Sequence, residues 1–387
     1  MPIAIYALAM AAFAVGTAEF IISGILPALA GDLKVTIPVA GLLVTAYAAG
    51  VAVGGPLLSI LTARLSQRLA LIGIMLMFTL AQVLCALAPD YTSLLLARLV
   101  AAAAHGVFFG AGNVVLVGLV PRERQGAAFS LFIGGITVAN LLGLPAGTAI
   151  AQASSWRLSF LAVGALGVLA TLALVWKLPK AAATTGPRPG LAAEIRELRH
   201  HEVWLSYLTI ALVMVGALAF GTYQVPLLLN VTKLDPAFIP LYLLLGGLGS
   251  TIGIWLGGKG QDWRAMPFLL MVLFGQAASY TAMLFSAPHL WWMTANLFFT
   301  SILGFAFSTP LQARVLHAAQ KAPNFASALL STAFNIGIAL GAFAGAFLLQ
   351  NGFGYGALPG VSAVCSLLAY MTALISFALD DRKLRLA

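Results

Sequence analysis

The lengths of the apolar runs decide what this chain can fold into. Twelve of them follow one another, at roughly 4–29, 37–61, 69–88, 92–118, 126–150, 158–178, 204–229, 237–257, 266–286, 290–313, 325–350 and 357–379, with boundaries good to a few residues. About 20 consecutive apolar residues is what an α-helix needs to cross the hydrocarbon core of a bilayer, whereas a barrel strand needs about ten in alternation. A bilayer leaves the backbone no water to bond to, so only helices or a closed barrel can span it. The run lengths select an all-α membrane protein of twelve transmembrane helices. Composition agrees: 61% of the residues are hydrophobic and 8% charged, against about 25% charged in a soluble domain.

The basic residues set the expected orientation. With the N-terminus in the cytoplasm, Arg64, Arg68, Arg122, Arg124, Lys177, Lys180, Arg188, Arg196, Arg199, Lys259, Arg264, Arg314, Lys321, Arg382, Lys383 and Arg385 all fall on the cytoplasmic side. Only Lys34, Arg157 and Lys233 fall opposite. Both termini are therefore expected in the cytoplasm, in a bacterial-type inner membrane. The net charge of +9 is this asymmetry, and it gives no support to a nucleic-acid partner. The first run lacks a basic leader and is too long for a signal-peptide core, so it reads as a retained first span. Cys85 and Cys365 lie inside apolar runs, and the sequence has no CxxC pair or Cys/His cluster, which indicates neither a disulfide framework nor a metal site, and no cofactor is expected.

The longest polar stretch, residues 180–202, divides the chain into halves of six spans, 1–179 and 203–387. Pro187, Pro189 and Gly190 break any helix early in it, and "AAEIRELRHH" fits either a short amphipathic surface helix or a solvated linker. Small residues recur at every fourth position in span 2 (Ala46, Gly50, Gly54), span 5 (Gly135, Ala139, Gly143, Gly147), span 8 (Gly249, Gly253, Gly257) and span 11 (Gly337, Gly341, Gly345). Such stripes let helix backbones approach closely. Their recurrence six spans later argues for an internal duplication, a mark of transporter folds. The stripes are expected to pack where the two halves meet.

Of the 11 acidic residues, ten lie in loops or at helix ends. Glu19, in "GTAEFIISGILP", alone is deep, about 22 Å along a helix from Ala4 and about 16 Å from Ala30. A carboxylate there must face a cavity, find a partner or stay protonated. Arg98 is the one basic residue inside a span, about 10 Å in from Tyr91. Arg98, His105 and Gly112 share one face of span 4, with Phe109 beside His105. If spans 1 and 4 are neighbours, depth counting puts Glu19 between Arg98 and His105. A nearby guanidinium favours the charged carboxylate and apolar surroundings favour the neutral acid, the tension a proton switch needs. His105 fits a structural hydrogen bond as well as a proton relay.

The twelve spans, the repeat and the central basic loop resemble the major facilitator superfamily. Local motifs resemble its drug:proton antiporter branch, near the arabinose efflux permease-like, sugar efflux and chloramphenicol efflux transporters. They are "GTAEFIISGILPALAGDL" in span 1, "LLLARLVAAAAHGVFFG" in span 4, "GITVANLLGLPAGTAIAQASSWRLSF" in span 5 with the loop that follows, and "STAFNIGIALGAFAG" in span 11. The resemblance implies two pseudo-symmetric six-helix halves working by alternating access. It also implies that Glu19 and Arg98 line the first half of the cavity, where with His105 they are the expected proton-coupling residues, and it supplies export as the direction. Gly143, Pro145, Gly147, Gly249, Gly253 and Gly341 are the expected packing positions. The loop between spans 2 and 3 departs from the family pattern. "SILTARLSQR" places Ser59 and Ala63 where a Gly and an Asp are usual, which leaves Arg64 and Arg68 as gating residues or as topology charges.

The remaining cavity chemistry is expected to be aromatic and amide: Phe20, Tyr47, Phe108, Phe109, Asn113 and Asn140 from the first half, and Tyr223, Gln224, Gln276, Tyr280, Gln312, Phe334 and Asn335 from the second. That set suits an uncharged or weakly cationic amphipathic molecule, such as a phenicol, and equally a sugar or purine nucleoside. "GGLGSTIG" lies within a span with no strand before it, so a nucleotide loop is excluded. A passive facilitator is a further alternative. An intramembrane enzyme or sensor would want clustered carboxylates, histidines or a metal set, and the spans supply one Glu and one His. The chain is expected to act as a monomer on a small-molecule substrate and protons.

Overall fold

A computed structural model describes residues 1–62, 64–179, 201–319 and 323–386. Every regular element among them is helical: α1 (Ile3–Asp32), α2 (Ile37–Thr62), α3 (Gln67–Leu87), α4 (Tyr91–Leu119), α5 (Arg122–Val138), α6 (Leu144–Ala153), α7 (Trp156–Lys177), α8 (His201–Gly221), α9 (Gln224–Asn230), α10 (Ile239–Ser286), α11 (Leu290–Ala306), α12 (Ser308–Ala318), α13 (Pro323–Gln350) and α14 (Leu358–Leu386). Eleven helical stretches among the described residues are long and apolar enough to cross a membrane. One, Pro236–Ser286, holds two spans, so twelve crossings result. The stretch expected as a linker, 180–202, lies up to residue 200 outside the described residues.

Spans 8 and 9 show how a turn can hide inside a helix. The sequence suggests a polar loop between residues 257 and 266, but α10 runs through it for 48 residues, about 72 Å if straight and more than twice the hydrocarbon thickness. A single residue, Arg264 (φ −157°, ψ 92°), leaves helical geometry. The ring of Phe268 then folds back over Gly260, where a Cβ would collide with it. Span 5 bends differently. Pro145 has no N–H to donate one turn back, and the Leu144 N–H instead reaches Ala139, closing a π-turn over Ala139–Gly143 between α5 and α6.

Two compact units divide the chain. One holds the described residues before 180 together with Ile239–Leu244, the other the described residues within 201–238 and from 245 onward. In the first, α1 packs against α2, α5, α6 and α7, while α4 packs against α2 and α3. In the second, α8 packs against α13 and α14. Their shared core includes Val203, Tyr207, Ile210, Leu311, Val315, Leu330 and Ala369.

The glycine stripes lie inside these units, not where the sequence reading placed them. In the first unit, a Cβ on Gly50 would sit 2.8 Å from Ala102 Cβ of α4, and one on Gly135 would sit 2.9 Å from Ala12 Cβ of α1. In the second, a Cβ on Gly249 would sit 2.9 Å from Ser301 Cβ of α11, and one on Gly337 would sit 2.5 Å from Met214 Cβ of α8. Gly143 and Gly147 face Thr17 and Ile21, Gly253 faces the Ile302 carbonyl, and Gly341 faces Val215. The expectation of a half-to-half seam is corrected: the stripes join spans 2 to 4 and 5 to 1, then 8 to 10 and 11 to 7. A thin face shows that a backbone comes close without showing which one.

The register of these pairs makes the duplication concrete. Gly50, Gly54, Ala102 and the turn Ala88–Pro89 recur at one constant offset as Gly249, Gly253, Ser301 and Ala287–Pro288. Lys34 recurs as Lys233 at the same offset, and among the described residues these are the two non-glycine residues with positive φ, 54° and 60°. Each closes the turn after the first span of its unit.

Candidate functional site

The ionisable residues within the spans of the first unit, Glu19, Arg98 and His105, come together in its interior. Arg98 of α4 has no exposed surface, a placement that costs several kcal/mol unless the guanidinium is well bonded. Its Nη1 donates to the Ala18 carbonyl oxygen of α1 at 2.6 Å. Its guanidinium carbon lies 3.9 Å from the centroid of the Tyr47 ring on α2, a cation–π contact worth about 2 kcal/mol when desolvated. Nε and Nη2 have no hydrogen-bond partner. The Tyr47 hydroxyl and His105 Nδ1 share a hydrogen bond of 3.2 Å. Tyr47 and His105 are 2% and 7% exposed. Small residues allow this convergence: Ala101, Ala102 and Ala104 keep α4 narrow, and Gly106 lies against the backbone of Gly55.

Glu19 follows Ala18 directly on α1 and is half-buried, so its side chain retains accessible surface at the depth of the Arg98 cluster. It feels the charge of Arg98 through space without forming an ion pair with it. The sequence reading made Arg98 the partner of the Glu19 carboxylate; the structure gives Arg98 the neighbouring carbonyl instead. Cys85, buried on α3, also faces Arg98.

An aromatic cluster extends the site along α4. His105 meets the edge of Phe109 at a centroid distance of 5.3 Å, Phe109 meets Phe108 at 5.1 Å, and Phe132 of α5 closes the group at 5.7 and 5.5 Å from them. Phe132 lies over Gly112, where a Cβ would come 2.7 Å from its ring. Phe108 and Tyr47 are fully covered, while Phe20, Phe109, Asn113 and Asn140 are half-buried. Asn140 falls within the π-turn, and Asn113 Oδ1 has no partner.

Among the described residues of the second unit, no buried position carries a comparable charge. Tyr223 is fully buried, with its hydroxyl donating to the Ala342 carbonyl at 3.2 Å. Gln276 and Tyr280 are buried on α10, with Phe220 edge-on to Tyr280 at 6.1 Å. Asn335 donates to the Ser331 carbonyl at 2.9 Å, and its Oδ1 is unpaired. Phe334 rests against Phe307, and Gln224, Gln312 and Phe334 are half-buried.

The two loop arginines separate. Arg64 is exposed, and Arg68 Nη2 donates to the Val175 carbonyl near the end of α7 at 2.5 Å. At the opposite end of the unit, Arg157 pairs with Asp32 and donates to the Ala88 carbonyl at 3.1 Å, while Trp156 Nε1 donates to Asp32 at 3.0 Å. Sequence reasoning missed Phe132, Phe220 and Gln82. Gln82 is fully buried on α3 with neither amide atom bonded, and its signal was a lone amide in the apolar run "AQVLCAL".

Comparison with known proteins follows the same lines. The sequence matches the Major Facilitator Superfamily over residues 8–323. It is 38% identical to the inner membrane transport protein YdhP of Escherichia coli (strain K12), over 96% of this chain and 95% of that protein. It is 33% identical to a chloramphenicol resistance protein of Streptomyces lividans, over 91% of this chain and 90% of that protein. The fold is shared with the crystal structure of a bacterial homologue of the human lysosomal transporter Spinster, inward-facing and occupied, at a TM-score of 0.76. The sequence identity there is 17%, with 97% of this chain and 96% of that one covered. With twelve apolar crossings, a duplicated six-span register and relatives matched along nearly its whole length, the chain is a multi-pass inner-membrane transport protein, not an enzyme, and belongs to the Major Facilitator Superfamily.

Proposed function

We propose that the protein is a proton-coupled antiporter that exports small amphipathic molecules by alternating access, as a monomer with both termini in the cytoplasm. One observation carries this reading: Glu19 lies deep in α1, half-buried and without a hydrogen-bond or ion-pair partner among the described residues, beside a fully buried Arg98. An acid so placed can take up a proton in one state and release it in another, because the two openings change its surroundings. Arg98 tunes that exchange, and His105 joins it through Tyr47. The half-buried aromatics Phe20, Phe109 and Phe334 suit a flat amphipathic cargo such as a phenicol, and the name of the Streptomyces relative points the same way.

The unpaired amide oxygens of Asn113 and Asn335 support a second reading in which the cargo is a sugar or purine nucleoside. A thermal-shift panel of phenicols, sugars and nucleosides on the purified protein separates the two. The coupling is tested with Glu19→Gln, which fixes the neutral form. In proteoliposomes with an imposed pH difference, the variant is expected to keep its fold and lose accumulation of the panel's best ligand against its gradient. Undiminished accumulation would remove Glu19 from the mechanism.

A further inference from the structure

The cluster contains a residue whose contacts exceed what packing asks of it. Tyr47 touches both basic members: its ring face lies under the Arg98 guanidinium at 3.9 Å, and its hydroxyl bonds His105 Nδ1 at 3.2 Å. Arg98 meanwhile donates one N–H to the Ala18 carbonyl, while its buried Nε and Nη2 have no partner among the described residues. A buried guanidinium with free N–H groups beside an unpaired carboxylate would ordinarily close on it, since bidentate carboxylate pairing is the strongest bond open to it. Something holds the guanidinium off Glu19.

We propose that Tyr47 is that positioning residue: its ring, anchored through His105, holds Arg98 on the Ala18 carbonyl and so leaves the Glu19 carboxyl free to exchange its proton. Three helices converge on the device. The ionisable groups that face Arg98 are Glu19 from α1, Tyr47 from α2 and Cys85 from α3, and His105 shares its own helix. Glu19 is the carboxylate among them, so a released guanidinium has one anionic destination. The inference rests on the reading of Glu19 as the exchanging acid, and the test separates the two.

The probe is dicyclohexylcarbodiimide, which adds to protonated carboxyl groups in apolar surroundings, so it needs no knowledge of the cargo. Labelling of the Glu19 peptide in the purified full-length protein is followed by mass spectrometry from pH 5 to 9, for the parent, Tyr47→Leu and Tyr47→Phe. The parent is expected to lose labelling as pH rises. Tyr47→Leu, with no ring to hold Arg98, should move that profile toward lower pH by a unit or more, a tenfold drop at a given pH on its falling limb. Tyr47→Phe keeps the ring and loses the His105 anchor, so it should move the same way by less than half as much. If Tyr47→Leu does not yield monodisperse protein, Tyr47→Phe decides alone, at a thermal stability equal to that of the parent. Profiles that coincide in all the proteins recovered overturn the role of Tyr47. A parent whose Glu19 labels at no pH overturns the coupling reading itself.

Discussion

The two units share a packing plan and differ in chemistry. Spans 2 and 4 meet through Gly50 and Ala102, and spans 8 and 10 meet through Gly249 and Ser301 at the same register. At that register Tyr47, Arg98 and His105 of the first unit become Gly246, Leu297 and Gly304 of the second. The counterpart of Glu19 falls within Leu218–Gly221, which carries no ionisable side chain. Close backbone approach constrains both copies, because a Cβ at either glycine meets its neighbouring helix. Charge constrains neither copy sterically, so one can lose the cluster and keep the fold. On the proposed reading the first unit handles the protons, while the second contributes amides and aromatics.

The largest effect that could break this division comes from Arg98. Arg98→Ala should lower proton-driven accumulation in proteoliposomes at least tenfold, with Arg98→Lys partly active, since an ammonium supplies charge without the planar fork. The matched change in the second unit, Leu297→Met, conserves volume at a buried site and should cost less than about 1.5 kcal/mol of stability while leaving coupling intact. Normal accumulation by Arg98→Ala, or lost coupling in Leu297→Met, would end the assignment of proton chemistry to one unit.

A smaller effect sharpens the shared half of the comparison. Gly143→Leu and Gly253→Leu drive a side chain into Thr17 and the Ile302 carbonyl respectively. Each should lower thermal stability by about 1–3 kcal/mol, since overpacking a close contact displaces backbone. At Gly164 a Cβ would meet the nearest side chain at 3.6 Å, an ordinary contact, so Gly164→Leu should cost clearly less. The scan measures unfolding midpoints in one detergent. Equal losses at all three sites would mean that the stripes are not the contacts that hold the units.

The contrast between the units also marks what could be read from sequence. A carboxylate about 16 Å from the nearer end of an apolar helix announces itself, because an ionisable side chain is costly there and rare. Glycines at every fourth position announce a thin face in the same way. Neither signal carries a partner. The stripe of span 5 does not name α1, and Arg98 does not name the Ala18 carbonyl over the Glu19 carboxylate, because both choices are made by tertiary approach. Tyr47 read as one more cavity aromatic, since its two contacts come from a helix far along the chain. The polar residues flanking Arg264 suggest a loop, yet one extended residue suffices for the turn.

The smallest effect tests whether the two copies hold one position by different means. The carbonyls of Ala88 and Ala287 occupy equivalent turns, after spans 3 and 9. Arg157 donates to the first at 3.1 Å while pairing with Asp32, and Thr232 donates to the second at 2.7 Å. Arg157→Gln and Thr232→Val should each cost about 1 kcal/mol, the net worth of such a bond. They should part in their response to salt. The side chains of the Arg157–Asp32 pair are 35% and 47% exposed, so ions screen the pair, and most of the penalty of Arg157→Gln should vanish at about 1 M salt, where the screening length is about 3 Å. Thr232 is buried and its bond is neutral, so the penalty of Thr232→Val should be the same at low and high salt. Unfolding midpoints of the two variants and the parent at both salt concentrations give the answer. A salt-independent penalty at Arg157 would show that its bond to the Ala88 carbonyl, not its pairing with Asp32, holds that end of the first unit, and the two copies would then cap the same carbonyl in the same way.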